Sequence, residues 1–260
     1  MTAAELRAIE RRAMLALAGR ETRRVLALWT QTIAPPVATA LLFLAVFGGA
    51  LGSRLRDADG TDYLSFILPG LLVMTVAGQA FANNSTSLFQ AKSEGYVEDV
   101  LTSPMRHWQL ALGYVTGGLL RGGVAALLVA AVAAPFSGGP ADPLLALVAL
   151  LSTGSVFAVL GVITGMWAES FDQHAFVANL LITPLALLGG VFYSAASLAQ
   201  PWETLTRLDP LFYLVDATRA GFTGEHETPV WLSLGVAGLA AVAAFAALVS
   251  LIGRGWRLKP

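Results

Sequence analysis

An all-α, polytopic membrane protein with six transmembrane helices is the fold class this sequence predicts, and three observations predict it. Of 260 residues, 56% are hydrophobic and only 13% charged, where a soluble domain of this size carries about 25% charged residues. The apolar residues gather into six runs, each long enough to cross a hydrocarbon core of about 30 Å. The Lys and Arg residues gather on one side of those runs, as the positive-inside pattern requires. A net charge of −1 supplies no global field for nucleic acid. The absence of cysteine excludes disulfides and thiolate metal sites.

The elements follow in order along the chain. Residues 2–28 read as an N-terminal amphipathic interfacial helix. Thr2 and Glu5 stand at capping-box spacing. Leu6, Ile9, Ala13 and Leu17 fall near one face, with Arg7, Arg11, Arg20 and Arg24 mostly elsewhere, a pattern suited to an anionic membrane surface. The segment lacks an uninterrupted apolar core and a small-residue cleavage site. It does not read as a signal peptide, and the first span is expected to do its own targeting.

The expected spans are 29–52, 63–84, 108–135, 143–167, 174–192 and 229–252. Pro35 and Pro36 in the first predict a kink or a late start. Trp29, Trp108, Trp167, Trp202, Trp231 and Trp256 fall at or beyond span ends, where interfacial anchors sit. Eleven basic residues lie on the side of the N-terminus: Arg7, Arg11, Arg12, Arg20, Arg23, Arg24, Lys92, Arg106, Arg254, Arg257 and Lys259. Four lie opposite: Arg54, Arg56, Arg207 and Arg219. Both termini are therefore expected in the cytoplasm.

No catalytic constellation is legible. His107, His174 and His226 are scattered over three segments without metal-ligand spacing. No G-x-x-x-x-G-K-[ST] loop exists, so this chain is not expected to bind ATP through a phosphate loop of its own. No Ser lies in a G-x-S-x-G elbow. One ionisable residue lies deep in a span, Arg121 in "YVTGGLLRGGVAALL". It stands about 20 Å along the helix from His107, and an Arg at that depth must find protein or water. It is either a residue of a substrate path or a structural Arg tied to backbone carbonyls, to Glu169 or to Asp172. The spans hold no chain of carboxylates, which disfavours proton or sodium coupling.

Two connections exceed simple turns. In 85–107, residues 93–102 read as a short helix with Tyr96, Val97, Val100 and Leu101 on one face and Glu94 and Glu98 stacked on another. Ser93 is placed to cap it and Pro104 to end it. Two turns alone are marginal in water, so the apolar face needs a partner, either another protein or this chain's own loops. In 193–228, Leu205, Leu208, Leu211, Phe212 and Tyr213 are too apolar for a solvated loop. One or two short helices, half-sunk in the outer interface or re-entrant, are expected there.

Five stretches carry a resemblance to a known family: "WTQTIAPPVATALLFLAVFGGALGSRL", "DYLSFILPGLLVM", "SEGYVEDVLTSPMRHWQLALGYVTGGLLRG", "FDQHAFVANLLITPLALLGGVFYS" and "LTRLDPLFYLVDATRAGFTG". In order and spacing they resemble the ABC-2 type permease subunits of ABC transporters, the group that includes NodJ-like and YadH-like proteins. The resemblance covers nearly the whole chain as one transmembrane domain. It departs where many members have Asn-Pro-Leu and this chain has Asp209-Pro210-Leu211.

The resemblance implies a non-enzymatic permease in the inner membrane that pairs with a second permease copy, identical or not. It implies a separate ABC-type ATPase subunit that holds ATP and magnesium, and no cofactor on this chain. Residues Glu94, Gly95, Tyr96, Val97, Glu98, Asp99, Val100 and Leu101 correspond to a cytoplasmic coupling helix seated in that ATPase. Tyr193, Leu208, Asp209, Pro210, Phe212 and Tyr213 correspond to external re-entrant helices before the last span, which cap the pathway. The implied cargo is bulky and lipidic, glycolipid or drug-like, and membrane lipids are further partners. A gradient-driven carrier or lipid flippase working without an ATPase is the rival reading. A membrane-embedded enzyme is a third, for which the spans lack a polar cluster.

Overall fold

The computed structural model describes residues 2–43, 45–46 and 63–258, and among these the regular elements are helical, with no strand. The α-helices are α1 (Ala3–Ala27), α2 (Trp29–Phe43), α3 (Tyr63–Ser93), α4 (Val97–Thr102), α5 (His107–Ser137), α6 (Pro143–Trp167), α7 (Phe171–Leu188), α8 (Trp202–Leu208), α9 (Pro210–Thr223) and α10 (Val230–Gly253). A 3-10 turn, Ala195–Ser197, precedes α8. Helices α3, α5, α6, α7 and α10 are each long and apolar enough to span a bilayer, and the bent pair α1–α2 makes a sixth candidate. The remainder of the expected first span, with Arg54 and Arg56 in the loop after it, lies outside the described residues, as does Lys259.

Side-chain caps start four of these helices. Thr2 and Glu5 close a capping box on α1. Asp142 accepts from Leu144 N and Leu145 N, with Pro143 as the first residue of α6. Ser170 accepts from Gln173 N at the start of α7. Asp209 accepts from Leu211 N, with Pro210 opening α9. Each satisfies backbone N–H groups that lack an intrahelical partner, and a leading Pro has no N–H to lose.

Helix α3 is the centre of the bundle, packed along α6 and α5. Close approach is made by absent side chains. A Cβ on Gly161 of α6 would stand 2.5 Å from the Phe81 carbonyl, and one on Gly165 2.7 Å from the Ser85 carbonyl. Backbones meet this closely only where small residues line the contact. Around the seam lie Val73, Phe81, Leu88, Tyr114, Phe157, Val162 and Met166, joined by Leu214 and Val215 of α9 and Leu248 of α10.

The structure sharpens or corrects the sequence expectations at several elements. Helix α3 does not end near residue 84 but runs to Ser93, because Asn83, Asn84, Ser85 and Ser87 find partners inside the bundle rather than marking a loop. Helix α7 occupies 171–188 rather than 174–192; Gly189 and Gly190, the latter at φ +69°, turn the chain away. On α1 the buried residues are Glu10, Leu17, Glu21 and Val25, while Leu6 and Ile9 are exposed. The protein-facing stripe thus carries two carboxylates that find cations. Arg219, counted among the basic residues of the connection before the last span, is buried at 2% exposure in α9.

Candidate docking and translocation sites

The segment after α3 forms a peg at one end of the bundle. Gly95, at φ +82°, reverses the chain, a backbone state that costs an L side chain energy and costs glycine none. Helix α4 then covers Val97–Thr102 only, with Tyr96 as a cap that makes no side-chain bond. It is shorter than the expected 93–102. Ser93 ends α3 and donates to the Gln90 carbonyl rather than capping α4. Glu94 precedes the helix, so it does not stack on Glu98. The apolar face is as the spacing predicts: Val97 is buried, and Tyr96, Val100 and Leu101 pack against the core. Glu94, Glu98 and Asp99 face solvent. Ser103, extended before Pro104, ends the helix, consistent with the steric effect of proline on its predecessor.

Helix α1 reaches the residue that opens this peg. The Arg20 guanidinium lies 5.1 Å from the Tyr96 ring centroid and 5.6 Å from that of Tyr114 on α5. Burial pushes the Tyr96 hydroxyl above the usual phenol range. Arg20 also pairs with Glu21 at 2.8 Å. Glu21 has no exposed surface; its carboxylate accepts from Ser87 on α3 at 2.8 Å and meets Arg24 at 3.5 Å. Arg24 in turn donates to the carbonyl and to the side-chain oxygen of Asn83. Asn83 donates to Asn84, and Asn84 to the Ala158 carbonyl of α6. A continuous polar path therefore runs from Tyr96 beside α4, through α1, to the centre of α3 and α6. A second tie, Arg106 to Glu10 at 3.2 Å, fixes α1 to the α4–α5 connection.

Sequence reasoning missed this path, although two signals for it existed. Glu10 and Glu21 are eleven residues apart, which is three turns and hence one face. "NNSTS" at 83–87 is a polar run within an otherwise apolar helix.

Arg121 sits on α5 with its Nε donating to Gln79 Oε1 of α3 at 2.9 Å and its Nη2 3.5 Å from the Gln31 carbonyl of α2. Its partners are amides, not Glu169, which pairs with Arg257 instead. Helix α7 adds a second polar feature. Asp172, Asn179 and Thr183, at positions i, i+7 and i+11, are all exposed, interleaved with exposed Phe176 and Leu187.

At the other end, α8 and α9 form a corner before α10. Phe212 is buried, Leu208 is 73% exposed, and Asp209 is buried at the cap of α9. Tyr193 donates to the Leu188 carbonyl at 2.8 Å and lies 3.3 Å from the Thr206 hydroxyl. Tyr213 donates to the Arg207 carbonyl at 3.0 Å. These residues come together with a network that sequence reasoning did not find. Asp216, fully buried, accepts from Glu227 N, Thr228 N, and the Thr228 and Ser233 hydroxyls. Arg219 lies 3.7 Å from Glu227, donates to the Gly190 carbonyl and stands 3.9 Å above the Phe66 ring. Glu227 also accepts from Ala195 N and Ala196 N.

The fold and these sites define a polytopic, all-helical membrane protein with a self-braced peg at one end and a packed helical corner at the other. The sequence matches the ABC-2 type transporter family over residues 12–223, and the chain belongs to that family. It is 35% identical over 248 residues to the inner membrane transport permease YadH of Escherichia coli K12, an alignment covering 95% of this chain and 97% of that one. It is 26% identical to nodulation protein J of Rhizobium meliloti, covering 86% of each. Nodulation protein J of Neorhizobium galegae is 23% identical over 84% of each.

Proposed function

We propose that this chain is the permease subunit of an ATP-driven exporter in the inner membrane, with both termini in the cytoplasm. The observation that carries the reading is α4: a short helix with its apolar face packed inward on this chain and Glu98 and Asp99 turned outward in its first turn. Braced from within and acidic outside, it suits a cleft on a separate ATPase subunit that holds ATP and magnesium. Residues 94–101 then divide by role. Tyr96, Val97, Val100 and Leu101 position the peg, Gly95 turns into it, and Glu94, Glu98 and Asp99 meet the partner.

Two protomers would pair, as like or unlike copies, and cargo would pass between them. The polar stripe of α7 supports this, since Asn179 and Thr183 facing lipid would be costly whereas facing a second copy or a hydrated path would not be. Arg121, with Gln79, would border that path. The α8–α9 corner, with Tyr193, Leu208, Asp209, Pro210, Phe212 and Tyr213, would close its outer end as re-entrant helices. The mixed polar and apolar character of α7 favours an amphipathic, lipidic or glycolipidic cargo.

The test is co-purification with the cognate ABC ATPase. Glu98→Arg with Asp99→Arg changes only exposed residues, so the melting temperature should stay within about 2 °C of the parent. The ATPase should be lost from the complex. Retention of the ATPase in parental amounts would remove α4 as the docking element.

A further inference from the structure

A cavity of about 460 Å³ opens at the α4 end of the bundle, lined by Phe89, Lys92 and Ser93 of α3, Trp167 at the end of α6, Ala168, Glu169 and Arg257. Two cations face it, and one carboxylate. The Lys92 ammonium lies 2.5 Å from the Met166 carbonyl and 3.4 Å from that of Ala168. Those two bonds account for the lysine as a cap on the last carbonyls of α6. They occupy two of its three N–H donors. Arg257 lies 3.3 Å from the Trp167 carbonyl and 3.5 Å from Glu169. The Glu169–Arg257 pair is largely solvent-exposed, 74% and 46%, and such pairs are weak and readily exchanged. Most of the guanidinium donors therefore stay available.

The rim has the opposite character. Phe89 stacks edge-on with Phe171 at 4.6 Å, Phe171 is 54% exposed, and Trp256 flanks Arg257 at 5.8 Å. Aromatic residues at the ends of spanning helices mark the headgroup level of a bilayer. The site thus combines fixed donors, an excess of positive charge and an apolar margin at that level.

We propose that this cavity binds a phosphate group, with Lys92 and Arg257 as its ligands, and that the group is carried by a phospholipid of the leaflet bordering the α4 end. Charge-assisted bonds from a guanidinium and an ammonium to phosphate oxygens are the strong class of hydrogen bond, and they would displace the exposed Glu169 from Arg257. An anionic phospholipid such as phosphatidylglycerol fits the uncompensated charge better than zwitterionic phosphatidylcholine, whose choline would meet Lys92 and Arg257.

Native mass spectrometry of the purified full-length chain tests this, with phosphatidylglycerol or phosphatidylcholine added to the micelle. The expected result is retention of phosphatidylglycerol about tenfold over phosphatidylcholine, as for about 1.4 kcal/mol of preference. Lys92→Gln with Arg257→Gln should abolish that preference, whereas Arg254→Gln should leave it intact. Glu169→Gln, at an exposed position that does not threaten the fold, should raise retention about two- to threefold by removing the competing carboxylate. Inorganic phosphate and glycerol 3-phosphate, added alone, separate the sources. If they raise the melting temperature as much as phosphatidylglycerol does, the site takes free phosphate. If only the lipid does, the headgroup is the ligand. Equal retention of the two lipids with no effect of soluble phosphate overturns the proposal. So does unchanged phosphatidylglycerol retention in both the double variant and Glu169→Gln.

Discussion

Asp216 has no exposed surface and four donors around it, drawn from α10 and from the turn that leads into α10. Two of the donors are backbone N–H groups, which cannot turn elsewhere. Asp216→Ala should therefore cost about 3 kcal/mol, the penalty for several stranded buried donors, read as a lower melting temperature in detergent. Asp209 poses the opposite case. Its Oδ2 is buried without a partner among the described residues, while the carboxylate caps α9 through Leu211 N. Burial pushes its pKa up to about 6, above the ordinary value near 4. The folded state then binds the proton more tightly than the unfolded chain. The contribution of Asp209 to stability should be fully present below about pH 4 and be lost as pH rises through about 6, by on the order of 1–2 kcal/mol. Asp209→Asn keeps the cap without the charge. Thermal melts across that window should show a flattened profile and a gain at neutral pH; an unchanged slope would assign it to another group.

Helices differ in how far their sequence announces them. The capping box of α1 was legible because it depends on one residue and its neighbours; Asp142, Ser170 and Asp209, which cap α6, α7 and α9, carry the same local signal but were not singled out. The apolar face of α4 was legible for the same local reason. Its start was not, because Gly95 in a left-handed turn outweighs the capping tendency of Ser93, and only the path of the chain reveals that. The packed side of α1 was not legible because the aliphatic spacing of Leu6 and Ile9 speaks only to a membrane-facing side, while the buried stripe is fixed by partners 66 residues away, such as Ser87 for Glu21. Arg121 was legible as needing a partner, but Gln79 is 42 positions distant. This element-level coupling is itself testable. Arg20 joins α1 to Tyr96 and to Glu21, so Arg20→Ala should loosen α4 without removing Glu98 or Asp99 from the surface. Hydrogen exchange of the 96–102 amides should rise about tenfold, matching a loss on the order of 1 kcal/mol for a partly buried cation–π contact. Arg20→Lys should recover part of the protection. Exchange at the parental rate would mean that α4 is held by Val97 and its apolar contacts alone.

The surface of the whole molecule is divided unevenly. Helix α3 is largely enclosed and α6 about half so, with Leu144 and Leu147 outward, whereas α7 buries only Ala186 and α10 only Ser233, Ala237, Leu248 and Ile252. The exposed side of α10 is apolar, with Leu239 at 71% and Val242 at 68%, and lipid satisfies it fully. The exposed side of α7 is not: Asn179 and Thr183 interrupt it near mid-helix. A bilayer offers these groups no hydrogen bond, so the two exposed faces should have different neighbours. In a symmetric pair the same patch serves both subunits, and residues close to the axis approach their own copies. The chain contains no cysteine, so a single introduced thiol reports without background. Asn179→Cys and Thr183→Cys, oxidised in membranes, should yield a covalent dimer on non-reducing gels. Leu239→Cys, equally exposed but on α10, should stay monomeric. A disulfide needs Cα atoms within about 7 Å, so crosslinking at α7 would place two copies of that helix at the axis. Crosslinking at Leu239 with none at Asn179 or Thr183 would move the axis to α10 and leave the α7 stripe facing a hydrated path within one protomer.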